Sequence, residues 1–185
     1  MPRRTRPPGR PATPPEPQSL TNGRLFGGTP LGLLPAALRE PRRPLLAILL
    51  GWAFAFLPSL LLSWASQTLL PGLAKPEFTA STPLPILALV VFAPVVETLI
   101  MGSVLSVLLR VMPPAAGVVA SAIGWGIAHS LMAPIWGLTI WWPFLIFSAL
   151  FVVWRRQGWW LAAGLVASVH ALHNLLPALY LATHA

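Results

Sequence analysis

One carboxyl group and two imidazoles could do chemistry in the apolar part of this chain. Glu97 lies near the middle of an apolar stretch from Leu84 to Leu109, and two later apolar stretches carry His129 and His170. The other three acidic residues fall outside these stretches, and the chain has no Asp. An ionisable residue at the centre of a membrane-spanning helix costs on the order of 3 kcal/mol, so Glu97 is expected to face the protein interior and to serve a function.

The three side chains are expected to lie at one depth in the membrane. Glu97 precedes Arg110 by about 13 residues, His129 follows Pro114 by about 15, and His170 follows Arg156 by about 14. At about 1.5 Å per residue, each lies roughly 20 Å from the same boundary. Three helices that bring polar groups to one level are expected to join them in one site.

Asn174 and His173 extend this set. Asn174 follows His170 by one helical turn, and therefore lies on the same helix face. Buried Asn and His side chains need hydrogen-bond partners in lipid, so all of these polar groups are expected to point toward other helices.

Three kinds of chemistry fit these residues. The polar groups could simply hold helices together by interhelical hydrogen bonds. Glu97, His129 and His170 could bind a metal, for which zinc is the natural candidate, although the ligands come from different helices and no metal-binding spacing is present. Alternatively, Glu97 could activate water as a general base, with His129 as its partner and with His170 and Asn174 donating to an oxyanion.

The composition places these residues in a membrane protein. The chain has 185 residues, of which 56% are hydrophobic and 9% charged, whereas soluble domains are nearer 25% charged. There is no Cys, which excludes disulfides and thiol catalysis. The net charge of +8 does not indicate a nucleic-acid partner, because eight of the twelve basic residues precede position 44. That distribution favours an N-terminal tail held at an anionic membrane surface.

The sequence predicts an all-α, polytopic membrane helix bundle with about five transmembrane helices. Residues 1–44 are rich in Arg and Pro and are predicted to be a disordered cytoplasmic tail, and residues 45–185 form the transmembrane domain. The predicted helices cover about 45–64, 84–109, 115–132, 135–154 and 159–183. Basic residues then fall on one side of the membrane after every second crossing, which predicts a multi-pass protein of the cell membrane with a cytoplasmic N-terminus and an external C-terminus.

Small residues are expected to let these helices approach closely. Ala116, Ala120, Gly124 and Ala128 recur at spacing four on the third predicted helix, and Ala163, Ala167 and Ala171 do so on the fifth. Such stripes are typical of helix–helix interfaces in membranes.

The polar residues, in this order, resemble the motifs of the CPBP family of intramembrane proteases, also called the Abi or type II CAAX prenyl endopeptidase family. Ala93–Gly102 falls on its first motif, EExxxR, with Glu97 as the first Glu. Trp125–His129 is similar to its second motif, FxxxH, and His170–Asn174 matches its third, HxxxN. The resemblance covers about residues 84–183.

This resemblance implies roles for four residues. Glu97 would activate water, His129 would be its partner, and His170 and Asn174 would stabilise the oxyanion. The family was long described as metalloproteases, and the resemblance implies a metal-free glutamate mechanism, with zinc as the alternative. Thr98 stands where the family has its second Glu and Gly102 where it has Arg, so an inactive member is a second interpretation.

The expected function is therefore hydrolysis of a membrane-associated peptide or protein by an intramembrane endopeptidase. The sequence does not indicate whether that substrate is prenylated, nor the oligomeric state. Two alternatives come from other functional classes. One is a catalytically inactive scaffold or immunity-type protein, and the other is a small transporter that uses Glu97 as its proton site.

Overall fold

A computed structural model describes residues 25–76 and 83–184. These residues are predominantly helical, and no strand occurs among them. The helices are α1 (Ala36–Arg39), α2 (Pro44–Leu69), α3 (Pro83–Leu87), α4 (Ala93–Leu108), α5 (Pro114–Ser130), α6 (Pro134–Trp154) and α7 (Trp159–His184). A π-helical segment, Ala88–Phe92, joins α3 to α4 without a break. The prediction of an all-α membrane helix bundle is confirmed.

Four helices in the described part of the chain are long and apolar enough to cross a membrane: Pro44–Leu69, Leu84–Leu108, Pro134–Trp154 and Trp159–Thr183. Large apolar side chains such as Leu61, Ile100 and Tyr180 are exposed on their outer faces, as contact with lipid requires. The third predicted span, which corresponds to α5, differs. α5 has 17 residues, which corresponds to about 25 Å, and a hydrocarbon core is about 30 Å thick.

α5 nevertheless runs between the two ends of the bundle. The ends of α4 and α6 lie near one another at one end, because Trp159, just after α6, donates from Nε1 to Ser106 Oγ on α4 at 3.3 Å. α5 must therefore connect that end to the opposite end, where α6 begins. The order of helix directions expected from the sequence is kept, although α5 is shorter than a typical span.

α6 is the central helix of the bundle. Its second half is buried almost completely, from Phe144 to Trp154, and it packs against α2, α5 and α7. The tightest approach is between α5 and α6, where a Cβ on Gly137 would lie 2.3 Å from the carbonyl oxygen of Gly126. Only glycine permits the two backbones to come this close.

The small-residue stripe predicted on the third helix does not form this interface. Ala116, Gly124 and Ala128 are exposed, and a Cβ on Gly124 would meet no atom of the described residues within 4 Å. The buried face of α5 instead consists of Gly117, Val118, Ser121, Ala122, Gly126 and His129. Spacing four alone could not select the face, since the neighbouring face of this helix also carries small residues. On α7, Ala163 is buried, whereas Ala167 and Ala171 are half-buried.

The end of the predicted disordered tail also differs from the structure. Residues 1–24 lie outside the described residues. Residues 25–43, however, form a 3-10 turn at Pro30–Leu33 and the short helix α1, and Phe26 and Leu38 are buried in the main core. Gln157, in the α6–α7 loop, donates from Nε2 to the carbonyl of Pro41. The apolar residues of this segment therefore lie against the bundle, because together they bury enough surface to offset the entropy of ordering it.

Candidate functional site

Glu97 lies on the first turns of α4, directly after the π segment. Its side chain is 26% exposed, and its Oε2 lies 3.8 Å from His170 Nε2 on α7. That separation is too long for a direct hydrogen bond. The expectation that the lone acid of the apolar helices faces an imidazole rather than lipid agrees with this geometry.

His170 is held in an aromatic pocket. Its ring lies 4.7 Å from that of Phe147 and 5.5 Å from that of Phe144, both on α6, and its side chain is 5% exposed. Its Nδ1 is buried and has no hydrogen-bond partner among the described residues. The ring is therefore fixed by packing, and its Nε2 is the nitrogen that approaches an ionisable group.

His129 lies near the end of α5 and is also held by aromatic rings. It packs edge-on against Trp136 at 4.7 Å and contacts Trp125 at 5.7 Å and Phe144 at 5.6 Å. Its Nδ1 lies 2.8 Å from the carbonyl oxygen of Trp125. Because a carbonyl can only accept, Nδ1 carries the proton and donates it, and the neutral ring has its lone pair on Nε2.

Phe144 connects the two predicted histidines. Its ring contacts His129 on one helix and His170 on another, at nearly equal centroid distances of 5.6 and 5.5 Å. The structure thus brings Glu97 and His170 together directly, and joins His129 to them through an aromatic ring. Within the described residues there is no group of three His or acidic side chains placed to hold a metal ion.

Asn174 has a backbone partner. Its Nδ2 donates to the carbonyl oxygen of Leu89, in the π segment, at 3.0 Å. One of its two amide protons is therefore engaged in holding α7 against the helix that carries Glu97. The other amide proton remains for the oxyanion role that the resemblance implies.

His173, one residue before Asn174, is similarly buried but faces other groups. Its ring contacts Phe56 on α2 at 5.7 Å and Phe147 at 5.8 Å. Its Nδ1 has no hydrogen-bond partner in the described part of the chain. His173 and His170 thus lie on the same helix, are both buried and both contact Phe147, but His170 is the one that approaches Glu97.

The two positions that depart from the family motif are enclosed in the bundle. Thr98 is 1% exposed, and its hydroxyl has no hydrogen-bond partner among residues 25–76 and 83–184. A Cβ on Gly102 would lie 2.6 Å from two ring atoms of Phe151 and 3.2 Å from Trp159. Aromatic rings therefore occupy the space beside the position where the family motif has Arg.

Sequence reasoning missed three features of this site: the aromatic pocket formed by Phe144 and Phe147, the role of Trp142, and the π segment. Trp142 Nε1 donates to the carbonyl of Phe54 at 2.7 Å. A signal for Trp142 was present, because Pro58 follows Phe54 by four residues and deprives that carbonyl of its helical donor.

Comparisons with known protein families, curated proteins and solved structures gave no match to this chain.

Proposed function

We propose that this protein is an intramembrane endopeptidase in which Glu97 activates water. The observation that supports the proposal is the approach of Glu97 Oε2 to His170 Nε2, at 3.8 Å, inside a bundle of apolar helices. Each polar group in such surroundings is expensive and is expected to serve a function. A water that hydrogen-bonds to two groups lies about 2.8 Å from each, so this separation is one that a bridging water can span.

The proposed reaction needs only groups on this chain and water. Glu97 removes a proton from the water while its oxygen attacks the carbonyl carbon of the scissile peptide bond. Donors from the protein stabilise the resulting oxyanion. Collapse of the tetrahedral intermediate breaks the C–N bond, and the proton held by Glu97 passes to the leaving amine. His129, whose Nδ1 is engaged by Trp125, has Nε2 to accept a hydrogen bond from water or substrate.

The proposed substrate is a peptide or protein segment associated with the membrane. The proposed orientation places the N-terminus in the cytoplasm and the C-terminus outside. Arg42 lies beside Pro41, which contacts the α6–α7 loop, and Arg156 belongs to that loop, so both are at one end of the bundle. A single cysteine can be placed at Arg42 or at Lys75, because the chain has none. Labelling of position 42 only from the cytoplasmic side, and of position 75 only from outside, would support this orientation.

The test is a cleavage assay that compares variants of Glu97, His129 and His170 with a control variant of His173. Purified protein in lipid vesicles would be given a panel of membrane peptides. We expect Glu97→Gln and His129→Ala to lower cleavage about 100-fold or more, the usual effect of removing an acid–base group. His170→Gln should do the same, whereas the matched control His173→Gln should retain cleavage. Cleavage that survives Glu97→Gln, in protein that remains folded, would overturn the proposal.

A catalytically inactive scaffold is the second candidate function. It is favoured by Gly102, whose surroundings are filled by Phe151 and Trp159, and by the unpartnered hydroxyl of Thr98 in the described structure. This function predicts that no peptide is cleaved and that any cellular effect of the protein survives Glu97→Gln. Proton-coupled uptake into vesicles that is abolished by Glu97→Gln would instead indicate a transporter.

A further inference from the structure

The π segment before Glu97 leaves one backbone carbonyl without a donor in its own helix. The N–H of Ala93 donates to the carbonyl of Ala88, five residues earlier, and is therefore not available to Leu89. The next residue that could serve Leu89 in π geometry is Pro94, which has no N–H. The Leu89 carbonyl therefore lacks a donor within its own helix, and a backbone carbonyl in a membrane bundle has to be satisfied by another group.

Asn174 supplies that donor. Its Nδ2 lies 3.0 Å from Leu89 O, and this contact joins residues that are 85 positions apart in the chain. Asn174 also lies one turn beyond His170, on the same face of α7. Two contacts therefore connect the same two helices: an amide to the π segment, and an imidazole to Glu97 about two turns further along.

The same arrangement occurs at a second proline in this chain. Pro58, inside α2, leaves the carbonyl of Phe54 without its usual donor, and Trp142 Nε1 fills that place at 2.7 Å. Here the donor comes from α6 and the helix is α2. A side-chain N–H that completes a proline-interrupted helix is thus a repeated device for holding helices of this bundle in register.

We propose that Asn174 is a positioning residue: by donating to the carbonyl that Pro94 and the π turn leave free, it fixes α4 against α7 so that Glu97 meets His170. The inference rests on the proposed function for its catalytic meaning, while the positioning itself can be measured without any cleavage. It differs from an oxyanion role, because the group that Asn174 serves is the backbone of Leu89. Pro94 and Asn174 then act together to position Glu97, although 80 residues separate them in the chain.

A double-mutant cycle between Pro94 and Asn174 tests this. Asn174→Leu gives an apolar side chain of similar size and removes the donor. Pro94→Ala restores a backbone N–H that can serve the Leu89 carbonyl. If Asn174 acts through that carbonyl, its loss should matter in the parent protein and matter much less beside Pro94→Ala. If Asn174 instead donated to an oxyanion, its loss would lower cleavage equally in the parent protein and in Pro94→Ala.

The first readout is geometric. Cysteines placed at positions 97 and 170 of this cysteine-free chain would be joined by a short bifunctional thiol reagent in lipid vesicles. Leaving a buried acceptor unpaired is expected to lower the rate of crosslinking about tenfold in Asn174→Leu. Pro94→Ala/Asn174→Leu should return to within about twofold of the parent rate. Asn174→Gln, which keeps an amide donor, should fall between the two.

The second readout is peptide cleavage with Glu97 and His170 intact, over the same four proteins of the cycle. Restored crosslinking together with restored cleavage supports the proposal. Restored crosslinking without any cleavage in the parent protein retains the positioning role and removes the proposed function. If Asn174→Leu fails to fold, recovery of the folded protein by Pro94→Ala supports the proposal. Equal losses in both backgrounds, by either readout, overturn it.

Discussion

Substitution of Gly102 by alanine should destabilise the bundle at a position where the sequence gives no warning. An added Cβ would lie 2.6 Å from Cε2 and from Cζ of Phe151. Phe151 is fully buried and packs edge-on against Trp159 at a centroid distance of 5.7 Å. The ring cannot move without disturbing Trp159, whose indole N–H donates to Ser106.

The expected magnitude follows from two opposing effects. Overpacking a filled interior costs about 1–3 kcal/mol. Replacing glycine by alanine inside a helix favours the helix by about 0.5–1 kcal/mol. Gly124→Ala and Gly164→Ala gain this second effect alone, because a Cβ at either position meets no atom of the described residues within 4 Å. Gly102→Ala should therefore be less stable than either control by about 1–3 kcal/mol.

The assay is unfolding of the purified protein in mixed micelles or by heating. For a chain of this size, each kcal/mol corresponds to about 2–4 °C in Tm. The two controls should lie at or above the Tm of the parent protein, and Gly102→Ala below all three. A Gly102→Ala protein as stable as Gly124→Ala would refute the reasoning, and with it the claim that Phe151 and Trp159 fill the space beside Gly102.

Two further predictions concern the ends and the middle of the bundle. Trp142→Phe leaves the Phe54 carbonyl without a donor and should lower the free energy of unfolding by about 1–3 kcal/mol. Pro58→Ala restores the helical donor and should remove most of that loss, and equal losses with and without Pro58→Ala would show that Trp142 does not act through this carbonyl. Phe26 is 2% exposed, and Phe26→Ala should remove the packing that holds the segment 25–43 against the bundle. Tryptic cleavage after Arg39 should then become about tenfold faster or more, while cleavage after Arg110 should keep its parent rate. Unchanged cleavage after Arg39 would show that Phe26 does not hold this segment.

The helices themselves were predictable from the sequence. Apolar stretches separated by prolines and basic residues gave bounds within a few residues of α5, α6 and α7, because helix formation satisfies most backbone groups that lie in lipid. The sequence also indicated that Glu97 should face polar groups on other helices, since burying an acid is costly. It gave His129 as the partner of Glu97, whereas the structure places His170 beside it.

Other features depended on the tertiary structure. The packing of α6 decided which face of α5 is buried, because the backbone of α6 at Gly137 lies close to the backbone of α5 at Gly126. Residue spacing along α5 does not reveal the shape of its neighbour. The partner of Asn174 was decided by a carbonyl that a π turn leaves free, and such a turn has no simple sequence pattern. Sequence determined which groups must find partners, because desolvation acts on each residue by itself. The fold decided which partners they found, because that depends on how rigid helices pack against one another.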